Sequence, residues 1–238
     1  MYQKITILNK SEHSNLKFKK IASMEHAAKT ANVPLTLAEF FSACKSQPIL
    51  FVKTGDDTLP TALLGIRNDE NLFLDARKNW LPTEYCPFFL KRYPFIFVKA
   101  EEKFTLAYDS ECISANEEEG EAVFGENGEQ TEFIKKIMEF MNKYQADSEV
   151  TVAFGRLMDE LELFEPFEVN LSVGTNKYQI SDFRIIGEKK FNELPTEKKT
   201  MLIEKGFYNI IVAHLISLSN IEKLAVLQSM RIAEAKNA

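Results

Sequence analysis

With 238 residues, 45 % of them apolar and nineteen of them phenylalanine, the chain has material for a substantial core and the composition of an ordinary globular protein. Its net charge of −6 speaks against a nucleic-acid binder. The three cysteines, Cys44, Cys86 and Cys112, form no CxxC or Cys/His cluster and no paired framework, so neither a structural zinc nor a disulfide scaffold is expected and a reducing compartment fits. Charge is uneven: residues 1–30 carry six lysines against Glu12 and Glu25, and residues 101–130 carry ten acids against Lys103. The acidic stretch reads as a solvated face or loop. The opening MYQKITILNK lacks the apolar core of a secretory signal. The longest apolar run, 207–218, is broken by Asn209, His214 and Ser217 and is shorter than the roughly 20 residues a bilayer span requires. The expectation is a cytoplasmic protein with no membrane span, with export that uses no cleaved signal left open.

Along the chain, residues 2–8 alternate as a strand and 16–21 offer another. Thr36 with Glu39 three residues later forms a capping box, so a helix should run to about Lys45 with Leu37, Phe40, Phe41 and Cys44 inward. Residues 48–52 read as a buried strand before the turn Thr54-Gly55-Asp56-Asp57. A hairpin of strands 61–66 and 71–74 is expected around Arg67-Asn68-Asp69-Glu70, then a short helix over 82–92 bent at Pro87. Strands 95–98 and 104–108 should pair, and 109–130 should be a long loop. Phe133, Ile134, Ile137, Met138, Met141 and Tyr144 recur at helical spacing and predict a helix over 131–145, with a second over 149–163. Strands 169–173 and 178–186 flank the turn 174–177. A helix over 195–205 ends at Gly206, and a last one starts at the capping box Ser219-Asn220-Ile221-Glu222 and runs to about Ala235. The fold class is therefore α+β, with mainly antiparallel sheets, several helices and a helix-rich second half. It is read as a single domain over 1–238, with two lobes of about 1–130 and 131–238 as the alternative.

The densest stretch is 60–98, which holds the only tryptophan, Trp80, four of the eight prolines, and Arg67, Arg77 and Arg92. Its candidate ligand-binding residues are Glu70, Asn71, Trp80, Arg92 and Tyr93, residue types that anchor ligands. Arg92 can equally oppose a helix C-terminal dipole or present a planar fork to a carboxylate or phosphate. His214 sits inside an apolar run and His13 in a polar turn; both are candidates, and a hydrogen-bonded core role competes at His214. No GxSxG elbow, HExxH helix, GxGxxG or P-loop is present. No catalytic residue, metal site or cofactor is specified.

The words Val33-Pro34-Leu35 with Glu39-Phe40, Pro48 to Phe51, Pro60 to Gly65 and Glu70 to Asp75 carry a resemblance to the SapC family of bacterial proteins. It continues through Trp80, Tyr85, Pro87-Phe88 and Lys91-Arg92-Tyr93-Pro94-Phe95, then Gly120-Glu121, Phe124, Gly128 and Thr131, and ends in Ala213-His214-Leu215 with Ser217-Leu218. His13 followed by Leu16 fits the family's opening. Lys91 departs, standing where a second arginine is more usual, as does Cys86 in place of a small aliphatic. The family is named for an association with the crystalline bacterial surface layer, and the resemblance implies no reaction and no catalytic residues. What it implies is an accessory or interaction protein of surface-layer biogenesis or export, leaning towards no enzymatic activity, with surface-layer or envelope proteins as partners. The alternative from the residues themselves is a small-ligand-binding protein or an enzyme whose pocket is built from 60–98 and His214. Oligomeric state is not legible.

Overall fold

The computed structural model describes residues 1–100 and 103–237, so Glu101 and Glu102 of the acidic stretch lie outside the described residues. In chain order the elements begin with β1 (Ile5–Ile7), α1 (Lys10–His13), β2 (Lys17–Phe18), β3 (Asn32–Pro34) and α2 (Phe40–Ala43). Then come β4 (Ile49–Thr54), β5 (Asp57–Leu63), α3 (Phe88–Lys91), β6 (Phe95–Ala100), β7 (Lys103–Asp109), β8 (Ala115–Asn116) and β9 (Glu121–Ala122). The rest is α4 (Glu132–Glu160), β10 (Phe164–Val173), β11 (Asn176–Ile186), α5 (Glu188–Asn192), α6 (Thr196–Glu204), α7 (Phe207–Ser217) and α8 (Asn220–Asn237). The strands make three antiparallel sheets, ordered β10-β11-β4-β5-β3, β1-β7-β6 and β8-β2-β9. The α+β class read from the sequence is the observed one.

Two cores lie on one beam. The larger gathers Phe40, Phe51, Phe73 and Leu90 with Phe154, Ile211 and Leu224; the smaller gathers Phe18, Phe95 and Tyr108 with Ile134 and Met141. Helix α4 serves both, Ile134 and Met141 from its first half and Phe154 and Met158 from its second. At 1.5 Å per residue its 29 residues span about 43 Å. The predicted break at 145–149 does not occur. Ser148 and Thr151 donate their hydroxyls to the Tyr144 and Asp147 carbonyls (both 2.7 Å) inside a helix that its packing on both cores holds continuous. Gly155 brings α4 against β5: a Cβ there would lie 2.0 Å from the Thr58 carbonyl oxygen.

Other expectations are corrected as well. The hairpin of this region is β4–β5, turning at Gly55 with φ +60, and residues 71–74 form no strand: the Leu72 amide still reaches the Leu64 carbonyl, but the Phe73 amide is taken by the Asn71 side chain and Leu74 bridges to Trp80 instead. The helix expected over 82–92 is only α3, which begins after Pro87; upstream, the Tyr85 amide is held by the Ser46 hydroxyl instead. Phe41 turns outward, 54 % exposed. The loop over 109–130 carries β8 and β9, which flank the two residues of β2, all that forms of the strand expected over 16–21. At the C-terminal end, α7 and α8 together are long and apolar enough to cross a membrane by length and composition, although the run 207–218 alone is not. Here Ile211, His214, Ser217 and Leu224 of that pair are fully buried in the large core. The Ser219 hydroxyl, expected to cap α8, donates back to the Ile216 carbonyl at 2.9 Å.

Candidate functional site

Most of the conspicuous polar residues of 60–98 are held by the fold itself. The Asn71 amide donates to the Ala27 carbonyl (3.2 Å) while its oxygen accepts from the Phe73 amide (3.0 Å). Glu70 accepts from the Arg67 amide, and the buried Gln228 amide, with its nitrogen toward the carboxylate, donates to both Glu70 oxygens at 2.7 and 3.1 Å. Trp80 stacks on Phe73 at 5.6 Å and donates its indole N–H to the Glu84 carbonyl. Glu39, the capping-box acid, is 1 % exposed and does more than cap. It accepts from the Thr36 amide and hydroxyl, the Phe88 amide and the Tyr85 hydroxyl, at 2.7–3.0 Å, tying α2 to α3. Burial raises its carboxyl above the ordinary range, and those donors only partly offset the rise.

His214 stands apart from the Arg92 region, as a rung of the main sheet. β11 meets β4 with Arg184 opposite Phe51, so Ile186 and Ile49 are the next partners in register. No direct bond joins them. The Ile186 amide donates to His214 Nε2 (3.0 Å), and the Nδ1 proton is donated to the Ile49 carbonyl (2.8 Å), which fixes the tautomer. The Ile49 amide is taken by Ser217 Oγ at 3.0 Å. The two α7 side chains thus substitute for ladder bonds where the strands diverge. Burial lowers the His214 pKa to about 4, so the ring is neutral. His13, at the end of α1, contacts its own Asn9 backbone and packs edge-on to Tyr108 at 5.5 Å.

Arg92 and Tyr93 are the candidates that the fold brings together. They follow α3, and Pro94 after them is preceded by a cis peptide. The Tyr93 hydroxyl donates to Asp109 (3.1 Å), and its ring stacks on His26 at 4.0 Å and 11° and meets Tyr2 at 5.4 Å. Asp109 is fully buried and also accepts from the Gln3, Lys4 and Glu111 amides. Burial alone would raise its carboxyl; the Lys4, Gln3 and Glu111 amides and the Tyr93 hydroxyl outweigh it and hold it below the usual range. The Arg92 guanidinium lies over Phe89 at 4.2 Å, with Tyr144 at 5.2 Å and Tyr2 at 5.8 Å, and its Nε is buried without a partner.

Tyr93 divides two concavities. On one side a cleft of about 730 Å³ is lined by Met1, His26, Lys29, Glu111 and Cys112 among others; on the other lies an apolar pocket of about 330 Å³. The cleft suits binding better than bond-making. His26 Nε2 is buried with no partner, and burial lowers the His26 pKa to about 4, leaving a poor base at neutral pH. Tyr93 is raised by burial and by Cys112 and Asp109, and Cys112 Sγ lies 2.9 Å from Ser114 Oγ. Among the described residues no group of three or more His, Cys, Asp and Glu is placed to hold a metal ion. His26, Asp109 and Tyr2 escaped the sequence reading because the partners that hold them in the site lie 16 to 106 positions away and no spacing rule joins them.

No curated protein and no solved structure matches the chain. The model of the SapC family matches residues 8–224, a span that contains His13, the Tyr93 shared by both concavities, Arg92 of the apolar pocket, the His214 rung and almost all of both cores. The chain belongs to the SapC family.

Proposed function

We propose that this SapC-family protein is a non-enzymatic accessory that binds a component of bacterial surface-layer biogenesis or export. The observation that carries the reading is the cleft beside Tyr93, about 730 Å³ and lined by a mixture of apolar side chains and charges of both signs. Such a lining is suited to recognition. The surface-layer link rests on the association that gives the family its name. Support also comes from the use of the strongest acid–base groups: His214, Asp109 and Glu39 are all engaged in hydrogen bonds that join elements of the fold.

The test is affinity capture of the tagged protein from its native cell, beside the variant Ala22→Trp. Ala22 is exposed on the cleft wall, so a tryptophan there fills the cleft without entering a core. The expected result is recovery of an envelope, export or surface-layer component by the natural chain and its loss with the variant. Recovery of no such component, or equal recovery by both chains, overturns the proposal.

One observation favours a second reading, a small-ligand-binding protein. The His26 ring stacks on Tyr93 at the cleft wall, which gives a small ligand a flat aromatic surface to pack against. On this reading the pocket is the cleft lined by His26 and Tyr93, without Arg92 or His214.

A further inference from the structure

The second concavity, on the other face of Tyr93, has a different chemistry. Its wall is aromatic: Phe18 of β2, Phe95 of β6 and Phe133 of α4 pack mutually at 4.7–6.2 Å, and Ile137 and Phe140 continue the same helix face. Its volume of about 330 Å³ lies at the lower end of small-molecule pockets, too narrow for a helix and suited to a slim apolar body. The rim is cationic. Lys19, Lys20, Lys91 and Arg92 line it, and no Asp or Glu does among the described residues.

That clustering runs against the chain as a whole, whose net charge is −6. Lys19 is paired with Glu119 across the rim, both side chains being largely solvated. Lys20 makes no ion pair among the described residues, and Lys91 is held only over the Tyr85 and Phe88 rings, at 5.2 and 5.6 Å. Arg92 makes no ion pair among the described residues, its guanidinium lying over the Phe89, Tyr144 and Tyr2 rings. An apolar slot rimmed by three cations without carboxylate partners selects a ligand with the complementary division: a slim apolar tail and one anionic head.

We infer that this pocket binds a single-chain amphipathic anion, an acyl or alkyl body seated against Phe18, Phe95, Phe133 and Ile137 with its carboxylate or phosphate among Lys20, Lys91 and Arg92. This site and its ligand class are separate from the partner-binding cleft, and either can hold without the other.

Isothermal titration of the full chain at neutral pH, with dodecanoate and dodecyl phosphate below their micelle concentrations, tests it. The expected result is saturable one-to-one binding of at least one of the two. The double variant Lys20→Glu/Lys91→Glu, which changes two exposed side chains, should weaken that binding about tenfold or more. Dodecyltrimethylammonium, with the same tail and the opposite head, should bind no better to the natural chain than to the variant. A second variant, Ile137→Trp, fills the slot from the half-buried face of α4 and should remove binding of both anions. The inference is overturned if neither anion binds saturably, if the charge-reversed variant binds as the natural chain does, or if heat appears only with phosphatidylglycerol vesicles and not with the free anions.

Discussion

The two cores that share α4 treat most of their polar groups differently. In the large core, His214 and Ser217 complete the seam between β4 and β11, and Asn71 and Gln228 are similarly consumed, with Gln47 Oε1 left buried without a partner as the exception. Around the small core, Arg92 Nε and His26 Nε2 are buried without partners, and two concavities open on either side of Tyr93. A buried donor or acceptor left unpaired costs stability, so a fold tolerates it more readily where a ligand can complete it. The contrast separates the histidine that builds the protein from the residues that remain available to something else.

The sharpest way to break this contrast is His214→Ala. It removes the rung, leaves the Ile186 amide and the Ile49 carbonyl facing a void, and opens a cavity beside Phe51, whose ring lies 5.0 Å from the imidazole. Each unpaired group costs about 1–3 kcal/mol, and the cavity adds to it. The expected loss is about 4 kcal/mol, a fall in melting temperature of roughly 10 °C for a chain of this size. Urea unfolding measures it; a loss below about 1 kcal/mol would show that the seam closes without the imidazole.

Acid should act through the same residue with a smaller effect. The His214 pKa is lowered to about 4 in the fold against 6.5 when free, so between these values the unfolded chain binds the extra proton. Stability from this group is therefore complete above pH 6.5, declines as pH falls, and is gone below about pH 4. The full shift corresponds to about 3 kcal/mol. His26 contributes in the same direction, reduced because its ring is partly solvated. Glu39 acts oppositely, since its raised carboxyl favours the fold as it becomes protonated. The His214 contribution is isolated by comparing pH–stability curves of the natural chain and His214→Gln. The curves should converge between pH 6.5 and 4, and parallel curves would mean that the imidazole is not held neutral.

How far these regions were legible in the sequence follows the range of the forces involved. The β10–β11 hairpin, the strand pair β6–β7 and the Thr36–Glu39 capping box are short-range patterns and were readable from spacing and turn residues, whereas the hairpin expected over 61–66 and 71–74 was displaced to β4–β5. The continuity of α4 was not readable, because 131–145 and 149–163 read as separate apolar patterns, and each half packs on a different core. Arg92 and Tyr93 stood out by type and company. Their setting did not, since Tyr2, His26 and Asp109 reach them through tertiary packing. Gly155 offered a signal that was passed over: glycine costs about 1 kcal/mol inside a helix, and its presence there marks the close approach to Thr58.

The mildest change, Tyr93→Phe, separates the two cores most cleanly. It deletes the hydroxyl that donates to Asp109 at 3.1 Å but keeps the ring stacked on His26. Asp109 retains three backbone donors, so it is not stranded, and the expected loss at neutral pH is about 1 kcal/mol, well below that for His214→Ala. The loss should carry a pH signature of its own. The lowered Asp109 carboxyl contributes stability that is present above its unfolded pKa of 3.8 and lost as pH falls through the folded value. Removing one of its donors brings the folded value closer to 3.8, so the gap between natural and variant curves should narrow as Asp109 becomes protonated. A gap that stays constant with pH would assign the hydroxyl's contribution to packing. A loss as large as that of His214→Ala would mean that the Tyr93 region is as tightly built as the large core, and that its unpartnered groups are not spare.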